Sequence, residues 1–350
     1  MNYRALRPEK YAGRGKHCYV EPYKPNSHDG LGLKIFDAYP NPGPLETFNW
    51  GDDPPKNGHR RNVRLIDATI FQNYCAWRGL APRVYEITQV KRNGNKYWAQ
   101  LTDYLYGDFD EDNVAELYEK VKEIGRIYGF TTHKNEYQRG DAIDGKFFDF
   151  NTFYPVENRL EIIKKLYVEK GRYGKIYYHN VVAFGLNNSP RHNKKRITWM
   201  GLDKLDFRKK HVLDIGCAGG YFMQYASKKG AKNVFGFDNK STIEAAHISA
   251  NEQGHWKLGF YERDFTEKAP VGEAQHDIVL YLSMNYHIGL PEHLFDTVAK
   301  DGVLVIEDNA KDREENLLPS KIGDRFERIE LVGRSLDHGN KPTYHCYGRK

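Results

Sequence analysis

Short apolar runs, each containing or ending in a polar residue, recur through the second half of the chain: Val212–Ile215, Val234–Asp238, Asp277–Ser283 and Gly302–Glu307. Runs of this length, apolar without strict alternation, read as strands buried on both faces, as in a parallel sheet. Helices are predicted between them, over Tyr221–Lys229, from Ser241 as the capping residue, and over Pro291–Lys300. Gly216–Gly220, between the first strand and its helix, reads as a tight turn over which a ligand is expected.

The first half is patterned differently. Residues 1 to about 60 are rich in Pro, Gly and Asn, including Pro40-Asn-Pro-Gly-Pro44 and Asp52-Asp-Pro-Pro55, so loops are expected between short strands. Val63–Arg78 is predicted as a helix with Ile66, Ile70, Tyr74 and Trp77 on one face. Val84–Val90 and Lys96–Thr102 form a predicted hairpin turned at Asn93-Gly94-Asn95, and Asn113–Gly125 a second helix. Asn158–Lys170 follows as a helix with Leu160, Ile163, Leu166 and Tyr167 as a packing stripe.

At 350 residues the chain is longer than one typical domain, so a second unit is expected ahead of the parallel-sheet half. A net charge of +6 suits an acidic partner without demanding one. The four cysteines, Cys18, Cys75, Cys217 and Cys346, are too scattered for a zinc pairing or a disulfide framework. There is no apolar leader after Met1 and no run long enough to cross a bilayer, so a cytoplasmic protein without membrane insertion is expected.

The nine residues Val212-Leu-Asp-Ile-Gly-Cys-Ala-Gly-Gly220 resemble motif I of the class I S-adenosylmethionine-dependent methyltransferases. That motif places an acid at a strand end and glycines at alternate positions after it, here Asp214, Gly216, Ala218 and Gly220, with Cys217 inside the turn. The resemblance implies S-adenosylmethionine as cofactor, with Asp214 orienting the turn and reaching the ligand's ammonium group. A nicotinamide-binding turn is the nearest rival, but it wants its third glycine where this chain has Tyr221. The family pattern continues with Asp238, 22 residues after Gly216, as the acceptor of the ribose hydroxyls. It implies Asp264 as a contact to the adenine amino group and the backbone of Phe265 as reader of a ring nitrogen. Phe326–Val332 and Thr343–Tyr347 suit the terminal antiparallel strand pair of that fold.

In this family the reaction centre follows the fourth strand, which places Ser283 beside the cofactor and Ser283-Met-Asn-Tyr-His-Ile288 at the methyl group. His287 is the candidate base for an oxygen or nitrogen acceptor, since histidine titrates nearest neutral pH, and Tyr286 either contacts the sulfonium with its ring or hydrogen-bonds the acceptor. The competing reading makes His287 a turn residue. This loop resembles that of methyltransferases related to those acting on the tRNA wobble uridine, and similar loops occur in enzymes of small metabolites and sugars. The Asn-Pro-Pro-aromatic signature of amino-group nucleic-acid methylation is absent, as is a cysteine near the loop.

The N-terminal order of strand, helix, hairpin and helix resembles a compressed protein-kinase fold, with Lys34 and Asp149 in the places of the phosphate-gripping lysine and the metal-binding acid. Ala68 or Thr69 falls where that family has a helix acid, and Asn135 where it has the catalytic aspartate. Three readings stand side by side here: a degenerate remnant without phosphoryl transfer, an unrelated α+β domain, and an active kinase. The basic run Arg191, Lys194, Lys195 and Arg196, with Tyr177, Tyr178 and Phe184 before it, is read either as a solvated face or as a nucleic-acid contact.

The expectation is therefore an α+β domain over residues 1–154, a helical and basic connecting segment over 155–200, and a doubly wound, Rossmann-like α/β methyltransferase domain over 201–350. Its acceptor class is left open between RNA, glycan and small metabolite. Two other functions stay beside it: a scaffold that binds without catalysis, and an enzyme that modifies a sugar or lipid carrier.

Overall fold

The computed structural model describes residues 19–22, 31–36, 41–45, 49–50, 63–103, 105, 113–132, 142–143, 145–147, 150, 152–170, 172–173, 176–177, 181–186, 189, 191–265, 275–308, 317–336 and 340–350. The chain divides into two units, Met1–Ile163 and Lys164–Lys350.

In the first unit β1 (Tyr19–Pro22), β2 (Leu31–Ile35), β3 (Val84–Arg92) and β4 (Asn95–Asp103) form an antiparallel sheet in the order β1-β2-β4-β3. The hairpin turns at Asn93 and Gly94, where it was expected. α1 (Leu65–Trp77) packs against β3, against α2 (Val114–Tyr128) and against β6 (Phe153–Pro155), which pairs with β5 (Phe130–Thr132). Because α1 is covered from several directions, its buried set is wider than the predicted stripe: Leu65, Ala68, Phe71 and Cys75 are buried with Ile70 and Tyr74, while Ile66 and Trp77 are only partly covered. Phe71 lies 4.7 Å from Phe130 and from Phe153, and Tyr74 stacks on Tyr128 at 3.8 Å.

Lys34 is buried on β2 opposite Gln100, whose amide donates to the Thr69 hydroxyl over 2.6 Å. Both residues offered for the helix-acid position of the kinase resemblance, Ala68 and Thr69, are buried, and Thr69 spends its own hydroxyl on the Leu65 carbonyl. Asn135 and Asp149 lie outside the described residues.

The second unit opens with α3 (Arg159–Lys170), shared with the end of the first, and α4 (Asn193–Trp199). On α3, Ile163 and Tyr167 are buried, but Leu160 is half exposed, which narrows the expected stripe. The sheet follows: β7 (His211–Ile215), β8 (Asn233–Asp238), β9 (Gly259–Glu262), β10 (His276–Tyr281), β11 (Val298–Glu307), β12 (Phe326–Ser335) and β13 (Lys341–Arg349). Their order is β9-β8-β7-β10-β11-β13-β12, with the first five parallel and the last two antiparallel. This is a doubly wound α/β sheet. The chain runs outward from β7 to β9 and returns beside β7 as β10, so the carboxyl ends of β7 and β10 flank the topological switch point, where such sheets bind ligands.

Alternate residues of the central strands feed two cores. Val212, Ile278, Leu280 and Val305 face one, and Leu213, Ile215, Val279, Tyr281, Leu304 and Ile306 the other. Burial on both faces is why these strands carry unbroken apolar runs in the sequence.

Three local expectations are corrected. The helix over Pro291–Lys300 reduces to one turn, α8 (His293–Asp296), because Val298 already pairs with His276 at the start of β11. The cap of α6 (Lys240–Glu252) is Asn239, which has extended backbone and accepts from the Thr242 amide; Ser241 sits inside the first turn. The basic run is split by α4: Asn193 and Arg196, three apart and on one face, are buried with Arg191, while Lys194 and Lys195 are exposed. Two of the four basic residues proposed to touch nucleic acid are therefore inside the protein. Phe184 is also buried, 5.4 Å from the Tyr167 ring, and has no face left for a base.

Candidate active site

The turn after β7 is stitched to the end of β8. The amides of Gly216 and Cys217 both donate to the Phe237 carbonyl, over 2.9 and 3.1 Å, and the Ala218 amide donates to Asp238 over 2.8 Å. Gly216 has φ 74°, and an added Cβ would overlap the Met284 sulfur, so a glycine is required there on both counts. Cys217 turns its sulfur inward against Gly236, where a side chain would collide with it. Burial pushes its thiol well above the ordinary value. The thiol is packing, and only the backbone of Cys217 lines the turn.

Two acids stand at neighbouring strand ends beside this turn. Asp214, on β7, is 1% exposed, and its Oδ2 has no hydrogen-bond partner. Burial, then the charge of Asp238, push its carboxyl up to about 8, against a smaller opposing effect of Arg196. Asp238 accepts from the Ala218 amide at Oδ2 and from the Asn239 amide and carboxamide at Oδ1. Burial raises its pKa, offset by those two amides and by the nearby imidazole of His287.

Behind the turn lies a polar cluster that the sequence did not disclose. Nη2 of Arg196 lies 3.0 Å from both carboxylate oxygens of Glu307 at the end of β11, with side chains 2% and 0% exposed. The Ser283 hydroxyl donates to the same carboxylate. Burial alone would raise the Glu307 pKa, yet Arg196 and then Ser283 hold it below the ordinary value. Glu307 closes an apolar strand as Asp214 and Asp238 do, a signal legible in the sequence but not taken up.

The loop after β10 is braced at both ends. Asn285 donates to Asp308 over 3.2 Å, and the Tyr281 hydroxyl donates to the Gly289 carbonyl. Asn285–Ile288 forms a single helical turn, α7, that exposes Tyr286 and His287, with ring centroids 5.2 Å apart. The Ser283 hydroxyl is committed to Glu307. Asp264 is exposed after β9, while Phe265 is buried, and its carbonyl lies 2.7 Å from a ring nitrogen of His293. Asp214, Gly216, Ala218, Gly220, Asp238 and Ser283 are thus gathered around the carboxyl ends of β7, β8 and β10. Lys194 and Lys195 stand on the exposed face of α4, opposite the face that carries Arg196.

The donor set fits an amino-acid-bearing nucleoside. A buried carboxylate oxygen without a partner suits an ammonium group, and a second carboxylate at the next strand end suits a diol. Among the described residues no group of His, Cys, Asp or Glu is placed to hold a metal ion, and no described helix is long and apolar enough to cross a membrane.

Residues 212–301 match the family model described as a methyltransferase domain, so the second unit carries a methyltransferase domain. A tRNA U34 carboxymethyltransferase of Pseudomonas fluorescens (strain SBW25) is 31% identical over 138 residues, 37% of this chain and 41% of that protein. A ubiquinone biosynthesis O-methyltransferase of Erwinia tasmaniensis is 29% identical over 111 residues, 31% of this chain and 45% of that protein. The chain thus spans less than half the length of either relative. A solved structure of the bifunctional kinase-methyltransferase WbdD is 22% identical and covers 46% of this chain and 40% of that one, with a TM-score of 0.38.

Proposed function

We propose that the second unit binds S-adenosylmethionine across the ends of β7 and β8 and directs its methyl group to an oxygen or nitrogen acceptor at the Ser283–Ile288 loop. The observation that carries this reading is the pair of acids at adjacent strand ends, Asp214 with an unpartnered buried oxygen and Asp238 beside the stitched turn. Asp214 takes the ligand's ammonium, Asp238 the ribose hydroxyls, and Asp264 with the backbone of Phe265 the adenine. The turn from Gly216 through Cys217 and Ala218 to Gly220 lies along the methionine portion, with the Ser283 backbone facing it.

When bound, the cofactor supplies an electrophilic methyl group on a good leaving group. The chain's own work is to align the acceptor and exclude water. Tyr286 presents its ring to the positive sulfur, and His287 accepts the proton that the acceptor gives up.

For the acceptor, one relative's name points to tRNA and the other's to an O-methylation in ubiquinone biosynthesis. An oxygen acceptor on an RNA, a glycan or a small metabolite fits this site. For RNA, the exposed Lys194 and Lys195 are the cations left to meet phosphates, so their neutralisation should weaken salt-sensitive RNA binding.

Calorimetric titration with S-adenosylhomocysteine tests the reading. Saturable one-to-one binding supports it, and no binding at millimolar ligand overturns it. Once labelled S-adenosylmethionine has revealed an acceptor, His287→Gln should lower kcat and leave the S-adenosylhomocysteine affinity unchanged.

A further inference from the structure

We propose that Arg196 is a positioning residue for methyl transfer: by holding Glu307 it fixes Ser283, and through Ser283 it seats Met284 on the cofactor turn. Arg196 and Glu307 both lie outside the stretch 212–301 that matches the methyltransferase family. The proposal rests on the cofactor-binding reading above.

Each link is a contact in the structure. Arg196 sits 3.0 Å from both oxygens of Glu307, and the Ser283 hydroxyl donates to that carboxylate. Ser283 holds φ 61°, a left-handed angle that a residue with a side chain keeps only when its surroundings impose it. That angle turns the chain so that the sulfur of Met284 enters the space a Cβ on Gly216 would occupy. The next residue but one, Asn285, is tied to Asp308, immediately after Glu307. The end of β11, itself paired with β10 and β13, therefore holds the acceptor loop at two points, and Arg196 fixes the carboxylate that makes the first of them.

Packing alone does not call for this arrangement. An apolar pair of similar volume is commonly as stable as a buried ion pair, whereas removing one partner strands the other charge. The charge of Arg196 also acts on Asp214, where it opposes the effects of burial and of Asp238.

The test compares the wild-type protein with Arg196→Met, Glu307→Leu, the double variant and Ser283→Ala. Tm and the S-adenosylhomocysteine Kd are measured for each. A positioning role predicts that each single change at the pair lowers Tm and that the double variant recovers it, while its Kd stays weakened by about tenfold or more. A purely structural pair would recover both together, and a double variant with wild-type Tm and Kd overturns the proposal. Ser283→Ala cuts only the link to the loop and leaves the ion pair intact, so it stays informative if the double variant does not fold. The expected result is a Tm lowered only by the one hydrogen bond lost to Glu307, with a weakened Kd, and an unchanged Kd overturns the proposal. Absence of binding in the wild-type protein would instead sink the cofactor-binding reading, so the two failures are distinguishable.

Discussion

The amide of Ala218 donates to Oδ2 of Asp238 over 2.8 Å, so the turn after one strand is held by the acid that ends the next. Ala218 keeps φ 47°, an angle that costs a residue with a side chain roughly 1 kcal/mol, and the bond to Asp238 helps to hold it there. Asp238 therefore has two roles that substitutions can separate. Asp238→Asn retains an oxygen for the Ala218 amide but turns its NH2 toward the Asn239 donors, so it is expected to lower Tm less than Asp238→Ala does while weakening S-adenosylhomocysteine by about tenfold. Asp238→Ala loses both roles, with a Tm several degrees lower and affinity down by about a hundredfold. An alanine variant that binds as tightly as wild type would refute the ribose assignment.

Asp214 makes binding a proton-linked event. Its carboxyl, pushed up to about 8, is mostly protonated at pH 7 in the free protein. An ammonium partner stabilises the carboxylate and draws the pKa down, so binding at pH 7 should release up to about one proton, with affinity rising as the pH approaches 8. For the ligand-free fold the sign is opposite: a raised carboxyl contributes stability below its unfolded value of 3.8 that is lost as pH rises through about 8. Calorimetry in buffers of different ionisation enthalpy measures the release. Asp214→Asn should show none, and zero release in the wild-type protein would remove Asp214 as the ammonium partner.

Gly216 and Gly254 share nearly the same backbone angle, φ 74° and 73°, in different surroundings. A methyl group at Gly254 meets nothing within 4 Å, whereas at Gly216 it meets Met284. Gly254→Ala should lower stability by about 1 kcal/mol and leave ligand binding alone. Gly216→Ala adds displacement of the Met284 side chain and should weaken S-adenosylhomocysteine binding. Equal effects of the two on binding would show that the Met284 contact is irrelevant to the site.

The basic run divides by exposure. Lys194→Ala with Lys195→Ala should change unfolding free energy by less than about 0.5 kcal/mol, because both side chains face solvent. Arg196→Ala leaves Glu307 charged, buried and without its arginine, a loss of about 3–5 kcal/mol. Urea unfolding of the two proteins gives the comparison, and a mild effect at Arg196 would contradict its burial.

Much of the site was legible because its signals are local. The turn Gly216–Gly220, the acid at the end of Val234–Asp238 and the unbroken apolar strands depend on residues a few positions apart, and the structure places the turn and the acid together at the carboxyl ends of the adjacent strands β7 and β8. The helix over Pro291–Lys300 was misread for the opposite reason: Val298 follows its pairing with His276, 22 residues away, and that pairing overrides a weak helical pattern. The cap at Asn239 was missed because Ser241 and Asn239 are both good capping residues, and only the extended backbone at Asn239 decides between them.

By itself the sequence determined the order of strands and glycine turns in the second half, and with them the acids at the strand ends, because these follow from neighbouring side chains and backbone sterics. Only the tertiary structure decided which charges face water. Arg196 reads in the sequence as one cation in an exposed run, and it becomes an interior residue because Glu307, 111 positions later, is brought within 3.0 Å of it. The environment of a charge is set by partners distant in the chain, and desolvation excludes it from the interior unless such a partner is present.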